Sequence, residues 1–366
     1  MKSFDEIYGW VKDLPIIDWH NHLDVGAVAA DKPFGSLYEV WVKADPYKHR
    51  AMRICGVPER LITGDASEAE KMAAWEATLP KLVGNPLFIW SQQELAFLNE
   101  ELRMKDEELS IGNLQNVSLG ALTPKKVLKA FNVEYWDPGF RMNAGDAFDG
   151  AAAGAVHVRG GRILDISIDD VSVPGLSRSV RESAAFAKAH GWTMLLHMGA
   201  LRSTSDRLRQ AAGPAGGYAG MRAPVDPQKV AELLNGLERD GVLPRTILLS
   251  LNPEAHAQLA VLAGSFVEDG VPGKVQLGPA WWWCDHRDGI FDVFEKSAAY
   301  GVLATFVGMT TDSRSFLSFV RHDYFRRLLA RWVARKVADG DFPDDEALLR
   351  PVCENICYRN AKGMIG

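Results

Sequence analysis

Strand-length apolar runs alternate with amphipathic helical stretches along the second half of this chain, and this alternation most constrains its fold. Buried strands are predicted at four apolar runs, residues 193–198, 245–251, 274–277 and 303–307. Helices are predicted beside them at residues 178–190, 226–240, 254–265 and 289–300. A repeated strand–helix unit is typical of a parallel sheet with helical crossovers. We therefore predict an α/β fold.

The first half of the chain predicts fewer strands. A first strand is expected at residues 15–20 and another at 132–136. Residues 143–161 are rich in Gly and Ala, and a strand at either 155–158 or 163–166 fits within or after them. The two alternatives stay open at this point.

A long helical region separates these first two strands. It runs from about residue 46 to 109, with Ser67 and Glu70 spaced as a capped helix start. Such a region is too long for one crossover between neighbouring strands. We predict a single domain over residues 1–366, with a helical insertion subdomain at residues 46–130.

Composition excludes several classes of function. A chain of 366 residues, 47% hydrophobic, can bury one large core, and its net charge of -6 gives no reason to expect a nucleic-acid partner. No run approaches eighteen apolar residues and the first residues are polar and acidic, so neither a membrane span nor a signal peptide is expected. The four scattered cysteines predict buried, reduced thiols and a cytoplasmic protein.

Histidines at strand ends predict a metal site. His20 and His22 point to the same side of an extended chain, because side chains there alternate. His197 ends a second apolar strand, and Asp312 follows the last one. Active sites of α/β barrels lie at the carboxyl ends of the strands, where imidazole and carboxylate groups suit zinc and related ions. Hydrogen-bonded core histidines and a helix N-cap at Asp312 are the structural alternatives.

Arginines and tryptophans near these residues predict substrate contacts. Arg314 lies two residues beyond Asp312, and Arg202 follows His197. Either guanidinium can form a bidentate pair with a carboxylate. An exposed or Asp-paired arginine is the alternative for both. Three consecutive tryptophans, at 281–283, cannot all point inward, so at least one is expected to line a cleft and stack on a sugar, although packing under the loop is equally compatible.

Distributed motifs in this chain resemble the uronate isomerase family of the amidohydrolase superfamily. They lie at residues 47–57, 63–67, 84–87, 197–202, 285–289 and 311–327. The resemblance covers most of residues 14–130 and 185–366, and the last motif is too long to arise by chance.

The resemblance implies a metal-dependent TIM-type (β/α)8 barrel that interconverts an aldose and a ketose of a hexuronate, such as glucuronate or galacturonate, through an enediol. His20, His22, His197 and Asp312 are then the ligands of one divalent metal ion, with Zn²⁺ the first expectation and Mn²⁺, Fe²⁺ or Co²⁺ as alternatives. The family roles further suggest three catalytic residues: Asp312, Arg314 and Tyr47. Those suggested for substrate binding are Arg202, Arg314, His322, Trp282 and Asp285. The expected partner is a small sugar acid, and a homo-oligomer is left open.

Departures from the family pattern leave the substrate open. Pro46 stands where the family carries a histidine before the tyrosine, and Ile89 and Gln92 replace two further histidines. The stretch expected to hold the third strand is largely missing around residues 140–155, which predicts an irregular or seven-stranded barrel. A metal-dependent hydrolase or lyase/decarboxylase acting on a carboxylate is therefore the alternative function, and a catalytically silent binding protein for sugar acids is a third.

Overall fold

The computed structural model describes residues 1–102, 109–114, 117, 119–168 and 177–365. The α-helices in this part of the chain are α1 (Phe4–Val11), α2 (Val25–Ala30), α3 (Leu37–Trp41), α4 (Pro46–Ile54), α5 (Glu68–Glu76), α6 (Pro86–Leu102), α7 (Pro124–Ala130), α8 (Gly150–Val158), α9 (Arg178–Ala189), α10 (Asp206–Ala212), α11 (Pro227–Arg239), α12 (Pro253–Ala263), α13 (Arg287–Tyr300), α14 (Val320–Ala338), α15 (Glu346–Glu354) and α16 (Asn360–Ile365). Short 3₁₀ helices lie at Glu59–Leu61, Leu79–Leu82, Trp282–Cys284, Leu303–Thr305 and Phe316–Phe319, and a π-helical turn covers Asn355–Arg359.

Five parallel strands form the central sheet. The strands of the described chain are β1 (Ile16–Asp18), β2 (Val133–Trp136), β3 (Phe140–Asn143), β4 (Ile163–Ser167), β5 (Thr193–Met198), β6 (Ala200–Leu201), β7 (Gly220–Met221), β8 (Arg245–Ser250) and β9 (Val275–Leu277). The sheet order is β3-β4-β5-β8-β9, while β1 pairs in parallel with β2 and β6 pairs antiparallel with β7. Every residue of β5 is buried, as expected of a central strand covered on both faces.

One bent run of chain belongs to two sheets. β2 lies beside β1, and the main-chain N–H of Asp137 extends that pairing by donating to the carbonyl of Asp18. Only residues 137–139 separate β2 from β3, which pairs with β4. No helical crossover fits into three residues, so residues 133–143 form one bent stave, that is, one continuous segment of the barrel wall.

Residues 306–313, named the last stave below, pair with the chain that continues beyond β1. The N–H of Asp312 donates to the carbonyl of His20 over 3.1 Å, and the N–H of His22 donates to the carbonyl of Ser313 over 2.9 Å. The α/β prediction is confirmed by the central parallel sheet. The irregular or seven-stranded form of the barrel stays a prediction.

Most predicted elements are confirmed, with two exceptions. Residues 155–158 are not a strand, because Asp149 caps the helix α8 that contains them; the alternative strand at 163–166 is correct and forms β4. The strand predicted at 303–307 is wrong as well. Leu303–Thr305 forms a 3₁₀ helix, and the amide of Asn360 binds the carbonyls of Ala304 and Phe306 that a neighbouring strand would otherwise bind.

Helices fill the region between the first two strands, as predicted. The helix α5 begins at Ser67 with a capping box in which Ser67 and Glu70 bond each other's main-chain N–H groups. α6 packs against α14, which brings the helical region beside the last stave. The division of the chain into a domain and an insertion stays a prediction. Within the described residues, no helix combines the length and apolar character that crossing a membrane requires.

Candidate active site

Three predicted ligand residues meet at the carboxyl ends of the staves. His20 follows β1, His197 lies in β5, and Asp312 lies in the last stave; one ligand atom from each falls within 4.8 Å of the others. His20 and His197 are buried, and their rings lie 5.2 Å apart between centroids. The Nε2 atoms of His20 and His22 lie 3.2 and 3.0 Å from the same Oδ1 of Asp312.

This arrangement fits a divalent metal ion. A tetrahedral ion about 2.0–2.1 Å from its nitrogen and oxygen ligands holds those ligands roughly 3.3 Å apart. The observed 3.2 Å between His20 and Asp312 matches this spacing. Within the described residues, Nδ1 of the buried His20 has no hydrogen-bond partner, and the groups facing its Nε2 are the carboxylates of Asp312 and Asp165. A buried imidazole without such a partner is costly, and a bound cation would satisfy it.

Backbone strain marks the same place. Asp312 has φ 48°, in the left-handed region that residues other than glycine seldom adopt. Such strain persists where the surrounding structure imposes it, and it is common at functional sites. The residues just before Asp312 are held by Asp18, whose buried carboxylate accepts hydrogen bonds from the main-chain N–H of Thr311 at 2.6 Å and from the hydroxyl of Thr310 at 3.0 Å. The network fixes the last stave relative to β1.

The site keeps its carboxylate charged and one histidine neutral. Burial alone would raise the pKa of Asp312, but contacts with His22 and His20 hold it well below its usual range. Burial lowers the pKa of His22 to about 4. Arg141 lies 2.9 Å from Nδ1 of His22. Since a guanidinium can only donate, Nδ1 accepts and the proton of His22 lies on Nε2, facing Asp312.

Besides Asp312, four of the predicted substrate and catalytic residues line one cavity above the predicted metal ligands. Its volume is about 380 Å³, and Tyr47, Arg202, Arg314 and Trp282 all contribute to its wall. The phenol of Tyr47 stays protonated, because burial raises its pKa well above the usual value. The guanidinium of Arg202 lies over the ring of Trp282, 5.8 Å from its centroid, and donates to the Ser167 hydroxyl at 2.9 Å.

Two residues predicted to bind substrate lie behind the cavity wall instead. His322 is buried, with Nε2 3.2 Å from Asp18, so it belongs to the network under the metal ligands. Asp285 is buried against Arg321 at 2.6 Å. Arg321 in turn lies over the rings of Tyr47 and Trp90. Both residues thus support the site from below, and neither is among the residues that line the cavity.

Sequence reasoning missed the contribution of residues 140–167. Arg141 and Asp165 both line the cavity, and Asp165 lies 2.6 Å from Nδ1 of His197. Asp165 stands inside an apolar strand, and a charged residue in a buried strand was the available signal. Arg141 carried no comparable signal, because its neighbours in β3 are not uniformly apolar.

Two histidines and one aspartate at the strand ends of an α/β fold, close enough to share one metal ion, lie where the active sites of α/β-barrel enzymes are built. The profile of the family described as Glucuronate isomerase matches residues 2–136 and 177–365. The chain belongs to this family.

Relatives and solved structures agree with this assignment. A uronate isomerase from Geobacillus thermodenitrificans is 33% identical over 442 aligned residues, covering 97% of this chain and 94% of the relative. A uronate isomerase from Bacillus licheniformis is 34% identical over 96% of this chain and 93% of its own length. The solved uronate isomerase from Thermotoga maritima superposes with a TM-score of 0.83 at 25% identity, covering 99% of this chain and 97% of that one.

Proposed function

We propose that this protein is a metal-dependent uronate isomerase, which interconverts the aldose and ketose forms of a hexuronate. The convergence of His20, His197 and Asp312 beneath a cavity lined by Tyr47 and arginines carries the proposal. Membership of the glucuronate isomerase family and relatives named uronate isomerase support it.

His20, His197 and Asp312 would hold the ion. His22 faces Asp312 through Nε2 and would join them only where its proton moves to Nδ1 and Arg141 leaves that nitrogen. When bound, a divalent ion polarises the carbonyl and the neighbouring hydroxyl oxygen of the substrate. Two imidazoles and one carboxylate are the ligand types that zinc favours, so we propose Zn²⁺.

Asp312 and Tyr47 are suited to opposite proton transfers. The reaction moves one proton from the carbon beside the carbonyl to the former carbonyl carbon, and a second from the neighbouring hydroxyl to the former carbonyl oxygen. One group must therefore take and return the carbon-bound proton, and another must serve the oxygens. Asp312 is ionised and can accept a proton. Tyr47 keeps its proton and can donate a hydrogen bond to a developing enediol oxygen. The two groups line the same cavity.

The arginines give the cavity its preference for a carboxylate. Arg141, Arg202 and Arg314 all line it, and burial lowers the pKa of Arg314 by removing part of its hydration. A partly desolvated guanidinium binds a carboxylate more strongly than one in water. The arginines would thus bind the carboxylate of a sugar acid, while Asp312 and Tyr47 would face its carbonyl end.

Incubation of the Zn²⁺-loaded protein with D-glucuronate and D-galacturonate tests the proposal. We expect a product of unchanged mass, detected by mass spectrometry and by the loss of the aldehyde signal in NMR spectra. The Asp312→Asn variant should lose more than about 100-fold of this turnover, because a metal ligand should matter at least as much as the residues that orient ligands. The exposed Asp13→Asn variant serves as the matched control and should keep full activity.

A product of changed mass would instead identify a hydrolase or lyase. Full activity in the Asp312→Asn variant, or no turnover of any hexuronate by a protein that has bound its metal, contradicts the proposal.

A further inference from the structure

Asp165 is a buried carboxylate whose role the proposed reaction leaves open. Its Oδ1 lies 2.6 Å from Nδ1 of His197, and its Oδ2 lies 3.8 Å from Nε2 of His20. It is the third residue of β4, opposite Leu195 of the neighbouring strand β5 that carries His197. Residues 137–176, which include Asp165, fall outside the match to the family profile.

The contact decides which nitrogen of His197 can bind a cation. Oδ1 of Asp165 and Nδ1 of His197 lie 2.6 Å apart, a hydrogen-bond distance between a carboxylate and an imidazole. An ionised carboxylate can only accept, so Nδ1 of His197 must carry the proton. Nε2 then keeps its lone pair, which a metal ligand requires.

The two histidines are the pairing partners of the Asp165 carboxylate. It is buried inside a strand whose residues are otherwise largely apolar, and the two histidines are the charged or polar partners that lie beside it. A buried carboxylate is costly unless it is paired. Its two oxygens face His20 and His197, two of the proposed ligands, and this is the pairing that the fold supplies.

We propose that Asp165 is the positioning residue of the metal site, which holds His197 in the Nδ1–H tautomer with Nε2 free to bind the ion. The inference rests on the metal site of the proposed function. It adds that the part of the chain outside the family match supplies the second carboxylate of that site.

Metal affinity measured without substrate tests the inference. The dissociation constant for Zn²⁺ is obtained by competition with a chromophoric chelator for the wild type, Asp165→Asn and Asp146→Asn. We expect a roughly 10- to 100-fold weaker affinity in Asp165→Asn, the range typical of residues that orient metal ligands. Asp146 lines the same cavity and bonds the main chain and amide of Asn143 without touching a histidine, so its variant should bind Zn²⁺ like the wild type.

A second measurement needs no variant that might fail to fold. Long-range ¹⁵N–¹H correlation spectra of the metal-free wild type, with His197 identified through a His197→Gln sample, should show the proton on Nδ1. A proton on Nε2 overturns the inference, as does an Asp165→Asn protein that is folded and binds Zn²⁺ within twofold of the wild type. Neither readout involves turnover, so a protein that passes both yet isomerises no uronate contradicts the proposed function alone.

Discussion

At the scale of single residues, burial sets the charge of the histidines near the site. His49 is buried in α4, two residues from Tyr47, and its Nε2 has no hydrogen-bond partner among the described residues. Burial lowers its pKa from 6.5 to about 4. The unfolded chain therefore binds a proton at this residue below pH 6.5 that the folded protein does not bind until about pH 4.

This difference predicts a pH-dependent contribution to stability. Between pH 6.5 and about 4 the unfolded state takes up the extra proton, so the free energy of unfolding falls as the pH falls. One proton corresponds to at most about 1.4 kcal/mol per pH unit. We expect the His49→Gln variant to show a shallower fall than the wild type over this window, measured by urea denaturation of the metal-free proteins. Parallel curves for the two proteins would show that His49 titrates normally.

Individual site residues could be predicted from the sequence where their position along a strand was informative. His20, His197 and Asp312 each follow or end an apolar run, and the structure brings all three together. Asp165 and Arg141 were missed, because a contact between neighbouring strands has no signature in the spacing of one strand. His322 was assigned to the substrate for its place in a motif, whereas its buried ring contacts Asp18.

At the scale of elements, the last stave is held by side chains instead of a full strand ladder. Its apolar residues Phe306 and Val307 are buried as the sequence predicts. The carbonyl of Phe306 is bound by Asn360, and the N–H of Val307 donates to the side chain of Gln276. Apolar periodicity indicates that side chains are buried, but it does not indicate which groups form hydrogen bonds with the main chain. This is why residues 303–307 were wrongly predicted as a strand.

The closest approach in this stave occurs at Gly308. It has φ +74°, and a Cβ atom built there would lie 1.9 Å from the carbonyl oxygen of Ile356 in the π-helical turn. Gly340 has a similar φ of +82°, but a Cβ there would meet nothing within 4 Å. A comparison of the two glycines therefore distinguishes the cost of a left-handed backbone from the cost of steric overlap.

Alanine at these two positions should therefore have unequal effects. Gly340→Ala should cost about 1–2 kcal/mol, the penalty of a left-handed conformation. Gly308→Ala should cost an additional 1–3 kcal/mol or so, because the overlap forces the backbone to shift. It should also lower metal affinity, since Asp312 lies four residues away. Guanidinium denaturation gives both free energies, and equal losses would contradict this account of the last stave.

At the scale of the whole molecule, the chain keeps the ends of the family fold and shortens its middle. The alignment with the Geobacillus relative spans 442 residues, whereas this chain has 366, and residues 137–176 fall outside the family profile. That is where the bent stave joins two sheets without a helical crossover. The sequence indicated the loss, but it could not show that Arg141 and Asp165 from this stretch would complete the cavity wall.

A metal ion at the proposed site would link distant parts of this shortened fold. His20, His197 and Asp312 come from the beginning, middle and end of the chain, so the unfolded state cannot present them as one site. A ligand that binds only the folded state stabilises it by about 2.7 kcal/mol at a concentration 100 times its dissociation constant. We expect Zn²⁺ to raise the thermal midpoint of the metal-free protein by a few degrees, increasing with concentration.

Two controls identify the site that causes this shift. Mg²⁺ prefers oxygen ligands and should shift the midpoint little at the same concentration. The Asp312→Asn protein should lose most of the Zn²⁺ shift, because its amide is a neutral and weaker ligand. A shift that survives in Asp312→Asn would assign the stabilising Zn²⁺ to some other group of side chains, and the link between the two ends of the chain would have to come from protein contacts alone.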